Sequence, residues 1–200
     1  MSRLAEETFP ESIAFEWSGV SLQESLAKGE ELYVFGLALL IVYLVLAFLY
    51  ESWVLPFAVI LVVPLGLLGT VASISLMGMD NNIYVQIGVV LIIALASKNA
   101  ILIVEFARDL RSQGQSIHEA AIAAAKMRFR PILMTSFAFI LGVLPLVFAT
   151  GAAAASRRSL GTAVCGGMLT STVLAVFFTP VFYVVFQRIS EFRQERPDHP

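Results

Sequence analysis

The 200-residue sequence contains a single cysteine and only two histidines. Cys165 lies inside an apolar run, so no disulfide framework and no cysteine metal cluster can form within one chain, and a small core residue is its plainer reading. His118 and His199 lie far apart in sequence and have no companion ligands, which excludes them as a metal signature. Charge is also scarce, at 14% against 58% hydrophobic residues. With a mean hydropathy of +0.83, that balance does not fit a water-soluble fold. Neither sign of charge dominates: 13 Lys and Arg face 15 Asp and Glu, a net charge of −2. No basic surface for nucleic acid follows from this. No GxxxxGK[ST] sequence occurs, so nothing points to nucleotide-driven work, and transport would need another energy source. Met1 to Glu31 does not read as a signal peptide either: it holds two basic and seven acidic residues and no short apolar stretch behind a positive end, and is expected to be a soluble segment entering a membrane.

Long uncharged stretches, by contrast, are abundant. Leu32 to Tyr50, Trp53 to Met79, Ile83 to Ser97, Pro131 to Ala155 and Ser159 to Gln187 carry no charged residue. All but the third exceed the ~18 residues of a spanning helix, and the third does so only if Lys98 is admitted into it. A soluble enzyme, a nucleic-acid module and a disordered tail are thereby excluded. The expected fold is an all-α membrane protein of five transmembrane helices, at about 32–50, 53–79, 83–107, 131–155 and 159–187, with segment 1–31 before them and a polar tail, 188–200, after.

Within the first segment, Ser12 to Ser18 (SIAFEWS) alternates like a strand, and Ser21 with Glu24 three residues on forms the capping box of a helix. A lone strand cannot satisfy its own backbone, so this one needs a sheet the chain does not contain. Tyr50, Glu51, Ser52 and Trp53 make a tight turn at a headgroup interface. Asp80, Asn81 and Asn82 make the next. Pro64, inside the second run, and Pro180, near the end of the fifth, predict kinks. From Arg108 to Arg130 runs a polar connection with five Lys or Arg against two acids. Gly114 is expected to end one helix there, and Ser116 with Glu119 to cap the next. That next stretch is expected to lie along the membrane surface and turn inward at Pro131.

Five spans place the termini on opposite sides. If the basic connection is cytoplasmic, eight Lys and Arg lie inside against four outside, which predicts an extracytoplasmic N-terminus and a cytoplasmic C-terminus.

Lys98 is the most informative position. An ammonium well inside the hydrocarbon costs about 2.5 to 3.5 kcal/mol on insertion scales, so it should face protein and have a partner. Asn99 adds a second polar group about 100° around the helix. Glu105 shares the Lys98 face but stands ~10 Å along the axis, beyond hydrogen-bond reach. No other carboxylate in the chain lies near mid-membrane. The alternative is a lysine that snorkels to the surface. Ion pairing is favoured because Lys98 is three to four turns from either end of its span, and the counter-charge must then come from segments outside this chain. Arg128 and Thr135, seven residues apart, share a face if the helix continues through Pro131. Each also has a plainer reading, as a basic flank and as a hydroxyl bonding its own helix. In the fifth run Ala163, Gly167, Ser171 and Ala175 recur every fourth residue, widened by Thr162, Gly166 and Thr170. Such a smooth stripe lets another helix approach closely.

These same residues carry a resemblance. YESWVLPFAVILVVPLGLLG, ALASKNAILIVEFARDL, KMRFRPILMTSFAFILGVLPL and GGMLTSTVLAVFFTPVFYVVF resemble, in order, C-terminal segments of the resistance-nodulation-division multidrug efflux pumps of the hydrophobe/amphiphile branch. The resemblance implies a proton antiporter with twelve spans and a large extracytoplasmic porter region. It implies a homotrimer in the bacterial inner membrane, working with a periplasmic adaptor and an outer-membrane channel. This chain would hold the last strand and helix of the porter region and the last five spans. Lys98, Arg128 and Thr135 match relay positions that surround a pair of aspartates in the family, and that pair is absent here. The lipid bilayer and the N-terminal half carrying the aspartates are thus the implied partners. No cofactor is implied beyond the proton gradient, and neither an enzyme nor a nucleic-acid partner.

Alone, such a fragment is expected to transport nothing. The competing reading is a truncated remnant, a membrane scaffold or a dominant-negative partner without transport activity.

Overall fold

The computed structural model describes Gly19, Leu22 and residues 31–194. The strand expected at Ser12–Ser18 and the capping box of Ser21 lie outside the described residues. The chain divides into two compact units, Met1–Gly36 and Leu37–Pro200. Helix α1 (Glu31–Tyr50) begins in the first unit, and all later helices belong to the second.

Helix α1 ends where Glu51 takes a left-handed φ of 50° and the Ser52 N–H donates to the Ala47 carbonyl at 3.3 Å, a closure that satisfies a terminal carbonyl. The Ser52 hydroxyl then accepts from the Val54 and Leu55 N–H groups, opening α2 (Pro56–Ile60) with Pro56 in its first turn. Helix α3 (Val63–Leu76) follows after a break at Leu61 and Val62. The break falls just ahead of Pro64, which has no N–H to donate and whose ring would collide with the Ile60 carbonyl. Gly78, at φ 61°, ends α3.

Asn82 caps α4 (Ile83–Ser112), its side-chain oxygen accepting from the Tyr84 and Val85 N–H groups at 3.1 Å each. The helix continues past the expected span end at Ala107 and closes, as expected, at Gly114, φ 95°, where the Gln115 N–H reaches the Leu110 carbonyl at 3.3 Å. Ser116 and Glu119 form the expected capping box at the start of α5 (Ile117–Val147).

Helix α5 differs from expectation at both ends of its apolar part. It runs through Pro131 and Pro145 as one helix, so the polar stretch and the span are continuous. Each proline forfeits one backbone bond, a loss a long helix absorbs. It also ends at Val147, short of Ala155, because Gly151 (φ 83°) and Ala153 (φ 57°) reverse the chain. Absence of charge marks how far a membrane run could reach, whereas the left-handed residues set where the helix stops. Helix α6 (Ala154–Gln194) is continuous through Pro180.

Four helical segments, Pro56–Leu76, Ile83–Ser112, Ile117–Val147 and Ala154–Phe192, are long and apolar enough to cross a membrane, and Phe35–Tyr50 is a shorter apolar helix. Helix α6 is the axis of the bundle, with α3, α4 and α5 packed on it. Tyr50, Val59, Ala100, Val104, Ala124 and Tyr183 belong to the largest buried cluster. Outward faces are apolar as well: Phe48 is 88% exposed and Leu76 86%, as suits an all-α membrane protein whose solvent is lipid.

Candidate ion-coupling site

Lys98 sits at the middle of α4, with about 15 residues on either side of it. Its face is otherwise apolar and open: Ile87, Val90, Leu91 and Ala94 precede it on the exposed side of the helix. Lys98 is itself exposed and makes no hydrogen bond or ion pair with any described residue. Asn99 points the other way. It is 3% exposed, packed into the bundle, with its Nδ2 unpartnered among the described residues. The structure thus separates two polar residues that adjoin in sequence, as a 100° step dictates.

Arg128 stands on the inner face of α5, its Cζ 4.2 Å from the centroid of the Phe106 ring on α4, a cation–π geometry. Its Nε is buried without a partner among the described residues. Helices α4 and α5 run in opposite directions from this contact. Thr135 is seven residues along α5 from Arg128, and Lys98 eight residues back along α4 from Phe106. Both steps amount to about 10–12 Å, so Thr135 and Lys98 stand at a similar depth. The Thr135 hydroxyl donates to the Ile132 carbonyl at 3.1 Å. Glu105 is half-buried, with Oε2 unpartnered among the described residues.

The small residues of α6 form the packing surface behind this site. Ala163, Ser171 and Ala175 are fully buried, and Gly167 is buried with them. A Cβ added at Gly88 of α4 would stand 2.9 Å from the Ala163 methyl, one at Gly66 of α3 would stand 3.2 Å from the Ser171 Cβ, and one at Gly167 would stand 2.7 Å from Ile92. The close approach lets α3 hydroxyls bond the α6 backbone: Thr70 donates to the Ala163 carbonyl and Ser73 to the Thr162 carbonyl, both at 3.1 Å. Thr172 and Ser136 join α6 to α5 at 2.8 Å. The matching stripe on α3, Gly66, Gly69, Thr70 and Ser73, has the same small-residue spacing as α6, and that spacing was the available signal for it.

At the end bearing the polar connection, the Arg111 guanidinium donates to both carboxylate oxygens of Glu191, at 2.9 and 3.0 Å, and to the Gln115 carbonyl at 2.8 Å. Glu191 lies in the polar tail, past the uncharged run that ends at Gln187. The hydrogen bond from Arg111 holds its carboxyl below the usual carboxylate range, with a further contribution from Gln187. The Ser116 hydroxyl and N–H do the same for Glu119. Nothing in the separate segments 108–115 and 188–194 announced the Arg111–Glu191 pair.

The comparisons with known proteins agree with this architecture. A sequence profile of the AcrB/AcrD/AcrF family matches residues 1–187. The toluene efflux pump membrane transporter TtgB of Pseudomonas putida is 48% identical over 198 residues, covering 99% of this chain and 19% of that protein. Multidrug resistance protein MdtF of Escherichia coli (strain K12) is 49% identical over 181 residues, 90% of this chain and 18% of its own length. Multidrug export protein AcrF of the same strain is 46% identical over 189 residues, 94% of this chain and 18% of its own length. The chain spans about a fifth of the length of these relatives. With its apolar helices and a family profile matching nearly its whole length, the chain belongs to the AcrB/AcrD/AcrF family of resistance-nodulation-division multidrug efflux pumps.

Proposed function

We propose that this chain serves as the membrane portion that supplies the lysine side of the proton relay in a proton-driven multidrug efflux transporter. The observation that carries the reading is Lys98, a mid-helix ammonium on an open apolar face with no partner among the described residues. A charge in that position is tolerable only when another segment covers it and supplies a counter-charge. A pair of carboxylates from the N-terminal half of the same pump has the required chemistry. Two adjacent carboxylates in low dielectric resist ionising together, and an ammonium between them stabilises the charged form. Protonation of a carboxylate would release Lys98 and shift the balance between helix arrangements. Thr135, at a similar depth, and Arg128, nearer the surface, would border the same space.

In this reading the energy source is the proton gradient and no cofactor takes part. The assembly is a homotrimer in the bacterial inner membrane with an adaptor and an outer-membrane channel. The N-terminus lies in the periplasm and the C-terminus in the cytoplasm. The chain by itself moves no drug, because the carboxylates and drug pockets lie elsewhere.

Lys98→Ala in a full-length version tests the role. Proton-coupled efflux should be lost while the protein still reaches the membrane, and efflux at the unaltered rate would overturn the reading. Drug efflux from cells expressing these 200 residues alone would overturn the claim of inactivity.

A further inference from the structure

Helix α5 presents a second cationic feature, remote from the face just described. Lys126 and Arg130 are both exposed, and neither makes a hydrogen bond or ion pair with a described residue. Spaced four apart, their side chains are neighbours on one helix face. Arg128, between them, points about 160° away toward Phe106. The Lys126 face is therefore opposite the one that packs on the bundle, where Ala120, Ala124 and Ile132 are buried. Beyond Pro131 the same face becomes apolar and stays open: Met134 is 66% exposed, Phe137 57% and Leu141 64%. The nearest acid on it, Glu119, is about 10 Å toward the helix start and is engaged by the Ser116 hydroxyl and N–H.

We propose that this face of α5 binds an anionic phospholipid, its phosphate between Lys126 and Arg130 and an acyl chain along Met134, Phe137 and Leu141. The two cations stand where the polar connection gives way to the uncharged run, the level of a lipid headgroup. The apolar strip continues from them into the hydrocarbon, so a free phosphate would use only half of the site. A zwitterionic lipid carries its own ammonium and gains less from the pair. A second copy docking about a two-fold axis here would set its own cation pair against this one. The site does not depend on which side of the membrane the connection occupies.

The test uses the purified chain in nanodiscs of equal phosphatidylglycerol and phosphatidylcholine, with retained lipids identified by native mass spectrometry. Phosphatidylglycerol should be retained in preference. Lys126→Gln and Arg130→Gln should each cut that preference about five-fold, while Lys126→Arg keeps it. Arg157→Gln, removing an exposed cation at the other end of the bundle, should leave it unchanged. Helicity by circular dichroism verifies that each variant folds. Equal retention of the two lipids overturns the proposal, as does an unaltered preference in the double variant. Complete competition by inorganic phosphate would reassign the cations to a free anion. A dimer that retains no lipid would reassign the face to a second copy.

Discussion

The Thr70 hydroxyl on α3 donates to the Ala163 carbonyl on α6 at 3.1 Å, across 93 positions of sequence. It can do so because Gly66, Gly69, Gly166 and Gly167 remove the side chains that would hold the two backbones apart. Within a bilayer, where hydrophobic burial does not drive helices together, such close packing and its hydrogen bonds carry association.

Gly167→Val should therefore destabilise the bundle by about 1–3 kcal/mol, since its added atoms meet Ile92 and Thr70. Gly142→Ala, at a position with nothing within 4 Å, should be neutral or mildly stabilising. Thermal unfolding of the two variants in detergent compares them directly. Equal melting temperatures would mean that the α3–α6 contact is not tight.

Thr70→Val removes the interhelical bond while keeping the side-chain shape. The expected loss is about 0.6 kcal/mol and no more than about 1.7. Combined with Ser73→Ala, which removes the neighbouring bond to Thr162, the losses should be non-additive because the two residues share one interface. A double-mutant cycle on unfolding free energies reads this out.

Stability should fall on the acid side through Glu191. Its carboxyl is held below the usual range by Arg111. The resulting stabilisation is fully present above the ordinary carboxylate pKa of ~4.3 and is lost as pH falls through the lowered folded value. Both partners are about one-third exposed, so solvent screening keeps the contribution small. Glu191→Gln should flatten that part of the pH profile of the melting temperature. A profile unchanged from the parent would assign the acid loss to another group.

Lys98 offers opposite outcomes for stability and transport. Lys98→Leu in this chain removes a charge that bonds nothing described. It should favour membrane insertion of α4 by about 2.5–3.5 kcal/mol, read in a translocon-insertion assay. The same substitution in a full-length version should abolish efflux. Unaltered insertion would show that the ammonium already snorkels to water.

The sequence by itself determined the all-α membrane class and the family, and it marked a few helix ends, such as Tyr50, Asn82 and Gly114. Uncharged runs, the turn at Asp80 to Asn82, the cap at Ser116, the kink at Pro64 and the stop at Gly114 act within a few residues of themselves, so their effects are readable locally. Its residue spacing also pointed to Lys98 as a charge lacking a partner. Tertiary structure decided the rest. The continuity of α5 through Pro131 follows from whether a helix can absorb one lost bond, which no local pattern states. Whether Asn99 faces the bundle while Lys98 faces outward depends on which side of α4 meets α6. Arg111–Glu191 and Arg128–Phe106 join residues from separate helices. Such contacts exist only once close packing at Gly66, Gly88 and Gly167 has set the distances between those helices.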